Sequence, residues 1–365
     1  MSTKIINNIP TAPISKKRAN KISEDLRNYK PGMDDPDGYY AALFDEAQRW
    51  RAQHALPTKN CFKTLLSCAQ GFDEPVLSFR LKRMTSILSK LKRPGKDYQL
   101  GTMDDIGGCR LVLRDMEQVD DAIVLLSERF DLKGGNAIKN YIERPRQSGY
   151  RSFHLVTMNP GEDRAYRVEV QIRTQLQHLL ATSVEAAGTI YETDVKTEQP
   201  SGMEESINLE LRRFFQIVSS LFSLEEGTPQ VAGLVKTEEE LAAMLSALPR
   251  MDEILNDLER ADDGVFVVGD GASNKNAPGL YLMEFDTEKQ VLNTRGYGDE
   301  LGKALRAYDA CEDEMFAADP RGADSRPFVD AVLAYAQTNS QLELAYPNYS
   351  TRVGSFASHV RTYLR

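Results

Sequence analysis

The sequence has few cysteines and no long apolar run. Four cysteines occur among 365 residues, and none forms a Cys-x-x-Cys pair, so neither a disulfide framework nor a cysteine-based zinc site is expected. No run of about 18 apolar residues is present, and residues 1–21 lack the apolar segment of a signal peptide. We therefore expect a cytoplasmic protein without a membrane span.

An excess of basic residues is also missing, because the formal net charge at pH 7 is −9. A general nucleic-acid-binding surface is thereby excluded, and any site for a polyanion must be a local basic patch. One segment supplies such a patch. Between Ser78 and Lys96 there are seven basic residues and no acidic one: Arg80, Lys82, Arg83, Lys90, Lys92, Arg93 and Lys96.

We interpret the segment RLKRMTSILSKLKR (80–93) as an amphipathic helix. Its apolar stripe would consist of Leu81, Met84, Leu88 and Leu91. One polar face would then present Arg83, Ser86, Lys90 and Arg93. Such a face can bind a triphosphate through guanidinium forks and lysine point charges; the alternative is an ordinary solvated helix face.

The order of apolar and polar segments predicts an α+β protein. Residues 1–36 are polar and contain four prolines, which indicates an N-terminal arm. In residues 37–226 short apolar runs alternate with helical patterns, which favours a mixed, mainly antiparallel sheet flanked by helices. After a linker at EGTPQ (226–230), residues 232–365 are predicted as a smaller α+β accessory or regulatory domain. Its predicted strands are 264–270, 279–286, 290–297 and FVDAVLAY (328–335), with a hairpin loop at 269–279.

The segment RVEVQIRT (167–174) alternates with a period of two, as a half-buried strand does. Val168, Val170 and Ile172 share one face. The other face carries Arg167, Glu169, Gln171 and Arg173. A row of this kind raises the question of what it faces.

Acidic and aromatic segments suggest partners for this row. Asp104 and Asp105 precede a glycine turn and a strand, and with Glu169 they are the carboxylates expected around Mg²⁺, with substrate phosphates completing the shell. Structural ion pairs with arginines are the alternative. In RPRQSGYRSFH (144–154), Tyr150 and His154 are predicted on one face of a strand, where a tyrosine can stack on a base; packing in a core is the alternative. Together these segments suit phosphoryl or pyrophosphoryl transfer between two nucleotides.

Four motifs occur in one order: DIGGCR (105–110), YIERP (141–145), GYRSFH (149–154) and EVQIRT (169–174). Over roughly residues 40–225 the chain resembles the synthetase domain of RelA/SpoT-type alarmone synthetases. The resemblance implies a nucleotidyltransferase-like fold. It also implies transfer of the β,γ-pyrophosphate of ATP to the 3′-hydroxyl of GDP or GTP, which yields (p)ppGpp and AMP.

The resemblance also implies roles for individual residues. Asp105 and Glu169 would hold Mg²⁺, and Glu169 would orient or deprotonate the attacking hydroxyl while Arg110 assists beside ATP. With the basic segment, the expected ATP-binding residues are Arg80, Lys82, Ser86, Lys90 and Arg93. The expected acceptor-binding residues are Arg146, Ser148, Tyr150, His154, Gln171 and His178.

Several points stay open at the level of sequence. Arg146-Gln147-Ser148 stands where the family usually has Lys-x-Asn, so a toxin that transfers pyrophosphate to the 3′ end of tRNA, or that makes adenosine products, is the alternative function. None of the four histidines is followed by Asp, and no hydrolase activity is therefore expected. A homo-oligomer remains open, as does a regulatory or trigger protein that binds residues 232–365.

Overall fold

The computed structural model describes residues 12–30, 33–193, 205–261, 266–269, 278–286, 291–317, 329–338, 341–342 and 353–364. The first part of the predicted arm and most of the predicted hairpin loop at 269–279 lie outside these residues. In the described part of the chain, no helix has the length and apolar character needed to cross a lipid bilayer.

Helices and strands alternate irregularly along the chain, as expected for an α+β fold. The helices are α1 (Lys16–Asn28), α2 (Tyr39–Ala52), α3 (Ala55–Ala69), α4 (Met84–Leu91), α5 (Met116–Arg129), α6 (Gln175–Ile190), α7 (Glu205–Glu225), α8 (Glu238–Ser246), α9 (Met251–Ala261), α10 (Leu301–Ala317) and α11 (Val353–Thr362). The strands are β1 (Val76–Leu81), β2 (Gly107–Leu113), β3 (Ile138–Asn140), β4 (Phe153–Pro160), β5 (Ala165–Thr174), β6 (Phe266–Gly269), β7 (Gly279–Asp286), β8 (Val291–Gly298) and β9 (Val329–Ala336).

Side-chain caps mark the starts of α5 and α6, each of which directly follows a strand. The Asp115 carboxylate accepts a hydrogen bond from the Gln118 amide at 3.0 Å and begins α5 directly after β2. The Thr174 hydroxyl accepts one from the Gln177 amide at 3.0 Å and begins α6 directly after β5. Because a capped start satisfies an otherwise unpaired amide, each strand passes into its helix at a defined residue.

The strands form one nine-stranded sheet in the order β3-β4-β5-β2-β1-β9-β7-β8-β6. Within the described residues, β2 with β5 and β6 with β8 pair in parallel, and the other neighbours pair antiparallel. The predicted α+β class with a mixed, mainly antiparallel sheet is confirmed.

The two faces of the sheet differ in character at its centre. One face is apolar: Val168, Val170 and Ile172 of β5 are fully buried in the cluster that α3 and α5 cover. The opposite face carries the polar row of β5. Alternation in the sequence therefore places the row on the side of the sheet away from α3 and α5.

The segment 80–93 is not one helix, and that prediction was wrong. Residues Val76–Leu81 form β1, and α4 begins only at Met84, with Arg83 in extended backbone at φ −60° and ψ 145° as its N-cap. Leu77 and Phe79 share the apolar face of the sheet, so the period-two pattern of VLSFRL prevails over the helical spacing farther on. Arg80 consequently lies on a strand, and Lys82 lies between strand and helix.

The N-terminal segment contains more structure than an arm. The Ser15 hydroxyl caps α1, and Ile22 and Leu26 of that helix are fully buried in a cluster with Leu43 and Phe44 of α2. Helix α1 packs against α2 because its apolar residues recur with helical spacing and so share one face.

The C-terminal segment continues the sheet of the preceding residues. Strand β9 pairs antiparallel with β1, with Leu333 opposite Phe79. The fully buried Tyr308 of α10 packs on Phe79 with ring centroids 4.7 Å apart, and its hydroxyl accepts a hydrogen bond from the Leu81 amide at 3.0 Å. The limits of the three predicted segments stay predictions, but the sheet and its apolar core extend across the boundary near residue 230.

Substitution of Leu333 tests this shared core. Leu333→Ala removes a fully buried side chain and is expected to lower the free energy of unfolding by about 3 kcal/mol. Chemical denaturation followed by tryptophan fluorescence and by circular dichroism should show a single displaced transition, because we expect Trp50 and β9 to unfold as one unit. The control Val235→Ala changes a side chain that is 78% exposed and should leave the transition in place. Two separate transitions would contradict a shared core.

A buried histidine predicts loss of stability in acid. His54 is 3% exposed and donates from Nδ1 to the Trp50 carbonyl at 2.9 Å. Burial, with the charges of Arg164 and Arg51, lowers its pKa to about 4 from an ordinary value of 6.5. The unfolded chain therefore binds this proton first as the pH falls, and about 3 kcal/mol of stability should be lost between pH 6.5 and 4.

The measurement is denaturation at a series of pH values. His54→Asn should lose that part of the pH dependence, whereas His359→Asn, which changes a partly exposed histidine elsewhere, should retain it. Identical slopes for the wild type and His54→Asn would contradict the assignment.

Candidate functional site

A cavity of about 110 Å³ opens on the polar face of the sheet. It lies over β1, β2, β5 and β9, at the centre of the strand order. Its walls are formed by Ser78, Phe79, Arg80, Lys82, Asp105, Gly108, Cys109, Arg110, Glu169, Gln171 and Val332. Two residues of the polar row of RVEVQIRT, Glu169 and Gln171, therefore line a cavity together with four other predicted site residues: Arg80, Lys82, Asp105 and Arg110.

Strand register brings guanidinium groups together beside this cavity. Arg110 on β2 is opposite Ser78 on β1 and Gln171 on β5, and Arg173 lies two residues farther along β5. Nε of Arg110, together with Nε and Nη1 of Arg173, is buried without a hydrogen-bond partner in the described structure. Burial, together with Arg173 and Arg80, lowers the pKa of Arg110. Buried donors that lack acceptors indicate a site for an anion.

Asp105 lies in the turn before β2, where two lysines bind it. Its carboxylate oxygens are 2.7 and 2.8 Å from Nζ of Lys90 on α4 and 3.3 Å from Nζ of Lys82. Burial raises the pKa of Asp105, but Lys82 and Lys90 lower it by more, and it stays below its ordinary value. The carboxylate is therefore ionised at neutral pH. It is paired with the ammonium groups of Lys82 and Lys90, which other cations can replace.

Glu169 is 8% exposed and belongs to a chain of three hydrogen-bonded side chains. Nδ1 of His154 on β4 donates to Glu169 at 3.1 Å, and Nε2 of His154 is 2.9 Å from the Tyr150 hydroxyl. Burial lowers the pKa of His154, but Tyr150 and Glu169 raise it to about 9. Burial raises the pKa of Glu169, but His154 and the Gln171 amide, which donates at 2.9 Å, hold it well below its ordinary value.

An aromatic group continues this chain away from the cavity. The guanidinium of Arg146 lies 4.3 Å from the ring centroid of Tyr141 and 5.9 Å from that of Tyr150. The ring of His154 meets that of Tyr141 edge to face at 5.2 Å. Because β4 begins only at Phe153, Tyr150 precedes the strand on which it was predicted. It is half-buried, and its hydroxyl still reaches His154.

Some predicted site residues lie outside the walls of the cavity. Ser86 is half-buried on α4, and Arg93 is exposed beyond its end, so they do not form the continuous face expected with Arg83. Ser148 lies in the turn before Gly149. His178 is 1% exposed in the first turn of α6.

The sequence reasoning missed a basic group around Asp104. Its carboxylate is 3.0 Å from Nζ of Lys133 and 3.1 Å from Nη1 of Arg167, the first residue of the polar row. Lys139 of β3 is 3.7 Å from Asp104 and 4.0 Å from Glu169. Asp104 thus forms structural ion pairs, which were the alternative to a role in binding Mg²⁺. Lys139 lies two residues before Tyr141 of YIERP in the sequence, but only pairing of β3 with β4 brings it to Glu169.

Residues of β9 were missed as well. Val332 forms part of the cavity wall, and the Asp330 carboxylate is 3.3 Å from Nη1 of Arg80. The available signal was a single aspartate in the otherwise apolar segment FVDAVLAY. Its neighbour in space could not be read from the sequence, because β9 and β1 are about 250 residues apart.

The residues present fit a magnesium ion bound jointly with a substrate. Asp105 and Glu169 line the same cavity, and Glu169 raises the pKa of Asp105, as a nearby like charge does. Among the described residues, no three His, Cys, Asp or Glu side chains are grouped so that they could hold a metal ion. Two carboxylates suffice for Mg²⁺ when phosphate oxygens and water complete its shell.

Comparison with known proteins gives a family for this region. Residues 79–196 match the family described as "Region found in RelA / SpoT proteins". The GTP pyrophosphokinase YjbM of Bacillus subtilis is 29% identical over 164 residues, which cover 43% of this chain and 71% of that protein. The probable GTP diphosphokinase RSH3 of Oryza sativa is 37% identical over 105 residues, which cover 29% of this chain and only 14% of that protein.

A solved structure is also similar in sequence. The small alarmone synthetase 1 of Bacillus subtilis, bound to its product pppGpp, is 26% identical and covers 52% of this chain and 97% of its own, with a TM-score of 0.37. The family match over residues 79–196 begins inside β1 and ends after α6. It contains the four motifs and most residues of the cavity wall. Residues 79–196 therefore form a RelA/SpoT-type region of this chain.

Proposed function

We propose that this protein transfers the β,γ-pyrophosphate of ATP to the 3′-hydroxyl of GDP or GTP, as a nucleotide 3′-pyrophosphokinase of the GTP diphosphokinase type. The observation that carries the proposal is one cavity lined by Arg80, Lys82, Asp105, Arg110 and Glu169, which lie on three adjacent strands and in the turns beside them. Positioning and charge neutralisation, rather than covalent catalysis, dominate transfer between phosphates. This arrangement supplies both.

The cationic part of the cavity suits the triphosphate of ATP. Arg110 and Arg173 present buried donors that have no acceptor among the described residues, and phosphate oxygens would satisfy them. Lys82 and Lys90 hold Asp105 in the absence of ligand. When Mg²⁺ binds Asp105 and Glu169, it would neutralise charge on the phosphates. The lysines would then be able to turn to phosphate oxygens.

The aromatic group suits the acceptor nucleotide. Tyr150 and Tyr141 offer ring faces on which a base can stack, which contributes about 1–3 kcal/mol per base. Arg146 beside both rings, and His154 as a cation at neutral pH, would bind the acceptor phosphates. Glu169 lies between this group and the cationic part, where the two nucleotides would meet.

The charge state of Glu169 favours an orienting role. A carboxylate whose pKa lies well below its ordinary value is a weak base, so it accepts a proton from a hydroxyl less readily than it accepts a hydrogen bond. The ionised Glu169 would therefore bind metal and align the 3′-hydroxyl. His154 stabilises that ionised form.

The pairing of His154 with Glu169 can be tested by titration. In an NMR pH titration of the imidazole resonances, His154 should titrate near pH 9, because Glu169 and Tyr150 stabilise the imidazolium. Glu169→Gln removes the negative charge and should lower the pKa of His154. The internal control is His54, which should titrate near pH 4 in both proteins. An unchanged His154 pKa in Glu169→Gln would show that the two groups are not coupled.

The transfer itself can be followed with labelled ATP. The full-length protein is incubated with Mg²⁺, ATP labelled in its β,γ-phosphates, and GDP, GTP, no further acceptor, or deacylated tRNA. Label should move to a guanosine tetra- or pentaphosphate. Asp105→Asn and Glu169→Gln should each lower the rate by about 100-fold or more. Asp73→Asn, which changes an exposed carboxylate paired with Arg114 at the surface, should keep the wild-type rate.

The acceptor that receives label decides between the functions. Label in tRNA, or in an adenosine product, would contradict the guanosine acceptor and support the toxin alternative. No transfer to any acceptor would contradict the proposal as a whole. The full chain is needed because β9 covers the edge of β1, so a protein cut near residue 231 would expose apolar core.

A further inference from the structure

Strand β9 extends the face of the sheet that carries the cavity, although it lies outside residues 79–196 of the family region. The pairing of Phe79 with Leu333 sets the register of β9 against β1. Val332 and Asp330 consequently lie on the same face as Arg80. Val332 lines the cavity, and Asp330 is 2% exposed beside it.

Asp330 binds the arginine at the end of β1. Its Oδ2 lies 3.3 Å from Nη1 of Arg80 and 3.7 Å from Nε of Arg83. We propose that Asp330 is a positioning residue of the nucleotide-donor site: it fixes the Arg80 guanidinium so that this group projects into the cavity to bind the nucleoside triphosphate. The inference rests on the proposed function, in which Arg80 binds ATP.

The geometry explains how a carboxylate at this position helps binding. A bond from Oδ2 to Nη1 lies at the edge of the guanidinium. It therefore does not occupy the flat faces, which can stack on a base. An arginine side chain that is already ordered loses less conformational entropy when it binds a ligand. The negative charge also offsets repulsion between Arg80 and Arg110, since Arg80 lowers the pKa of Arg110.

The surroundings of Asp330 indicate a permanent support rather than a removable cover. Strand β9 lies between β1 and β7, and eight residue pairs align it with β7. Helix α10 adds two attachments beside Arg80. Its Tyr308 accepts a hydrogen bond from the Leu81 amide. Its Glu312 accepts a hydrogen bond from Nη1 of Arg51 at 2.7 Å. The same arginine donates from Nε to the Lys82 carbonyl at 2.7 Å. The C-terminal segment thereby supports both Arg80 and Lys82.

The test measures binding of a non-hydrolysable ATP analogue with Mg²⁺ to the full-length protein by calorimetry. Asp330→Asn keeps the shape of the side chain but removes its charge, and it should weaken binding about tenfold, as loss of a charge-assisted hydrogen bond does. The matched control is Asp309→Asn. It breaks another ion pair of the same segment, with Lys59 at 2.8 Å, and should leave the affinity unchanged.

A double-mutant cycle separates positioning from a general structural effect. In the Arg80→Gln background, Asp330→Asn should weaken binding by less than twofold, because Asp330 acts through Arg80. In steady-state assays, the KM for ATP should rise while the KM for the acceptor stays nearly constant. Asp330→Glu keeps the negative charge and should preserve the sheet. It should weaken binding of the analogue by a smaller factor, and it replaces Asp330→Asn in the test if that variant does not fold.

The outcomes distinguish this inference from the proposed function. Unchanged affinity in Asp330→Asn would overturn it, as would tighter binding, which would mean that the carboxylate competes with ATP. If the wild type binds the analogue but transfers pyrophosphate to no acceptor, the proposed function fails and the binding data still decide the role of Asp330. If the wild type does not bind the analogue, both are wrong.

Discussion

The buried carboxylate of Glu169 at the centre of the sheet is the constraint on which the site depends. A carboxylate in this position is costly unless it is paired and hydrogen-bonded. His154 on one neighbouring strand and Gln171 on the same strand supply the partners. The His154 cation then places Tyr150, and through it the aromatic group. The arrangement of the part of the site that we propose to bind the acceptor therefore follows from the need to compensate one charge.

The part of the site that we propose to bind ATP has a surplus of positive charge. Arg110 and Arg173 project from neighbouring strands and retain buried donors that have no acceptor in the described structure, while Lys82 and Lys90 share Asp105. The overall charge of −9 makes this local surplus of cations more informative. Phosphates and a divalent cation would restore the balance on both sides, which is why a polyanionic substrate fits this cavity better than a neutral one.

The C-terminal segment contributes to the stability of the sheet and to the form of the cavity. Leu333 and Tyr308 complete the apolar core beneath β1, while Val332 and Asp330 lie on the opposite, polar face. Alternation along a single strand thus links packing on one side with the cavity on the other. A change in the core around β9 would therefore also displace the support of Arg80. Stability and substrate binding are expected to be coupled here.

The sequence by itself determined the local features of this protein. The alternation in RVEVQIRT predicted a strand with a polar face, and the apolar runs at 279–286, 290–297 and 328–335 predicted β7, β8 and β9 within one residue of their observed limits. The basic segment and two of the four motifs contain the six predicted site residues that line the cavity. These inferences succeed because side-chain periodicity and short motifs depend on neighbours within a few residues.

Tertiary structure decided what depends on distant pairs. The segment 80–93 contains both helical and strand periodicity, and only pairing of β1 with β2 and β9 resolves it in favour of a strand that ends at Leu81. Pairing of β3 with β4 brings Lys139 to Glu169, and pairing across about 250 residues brings Asp330 to Arg80. Strand order and register select these neighbours, because hydrogen bonds between backbones can join any two strands whose apolar faces match.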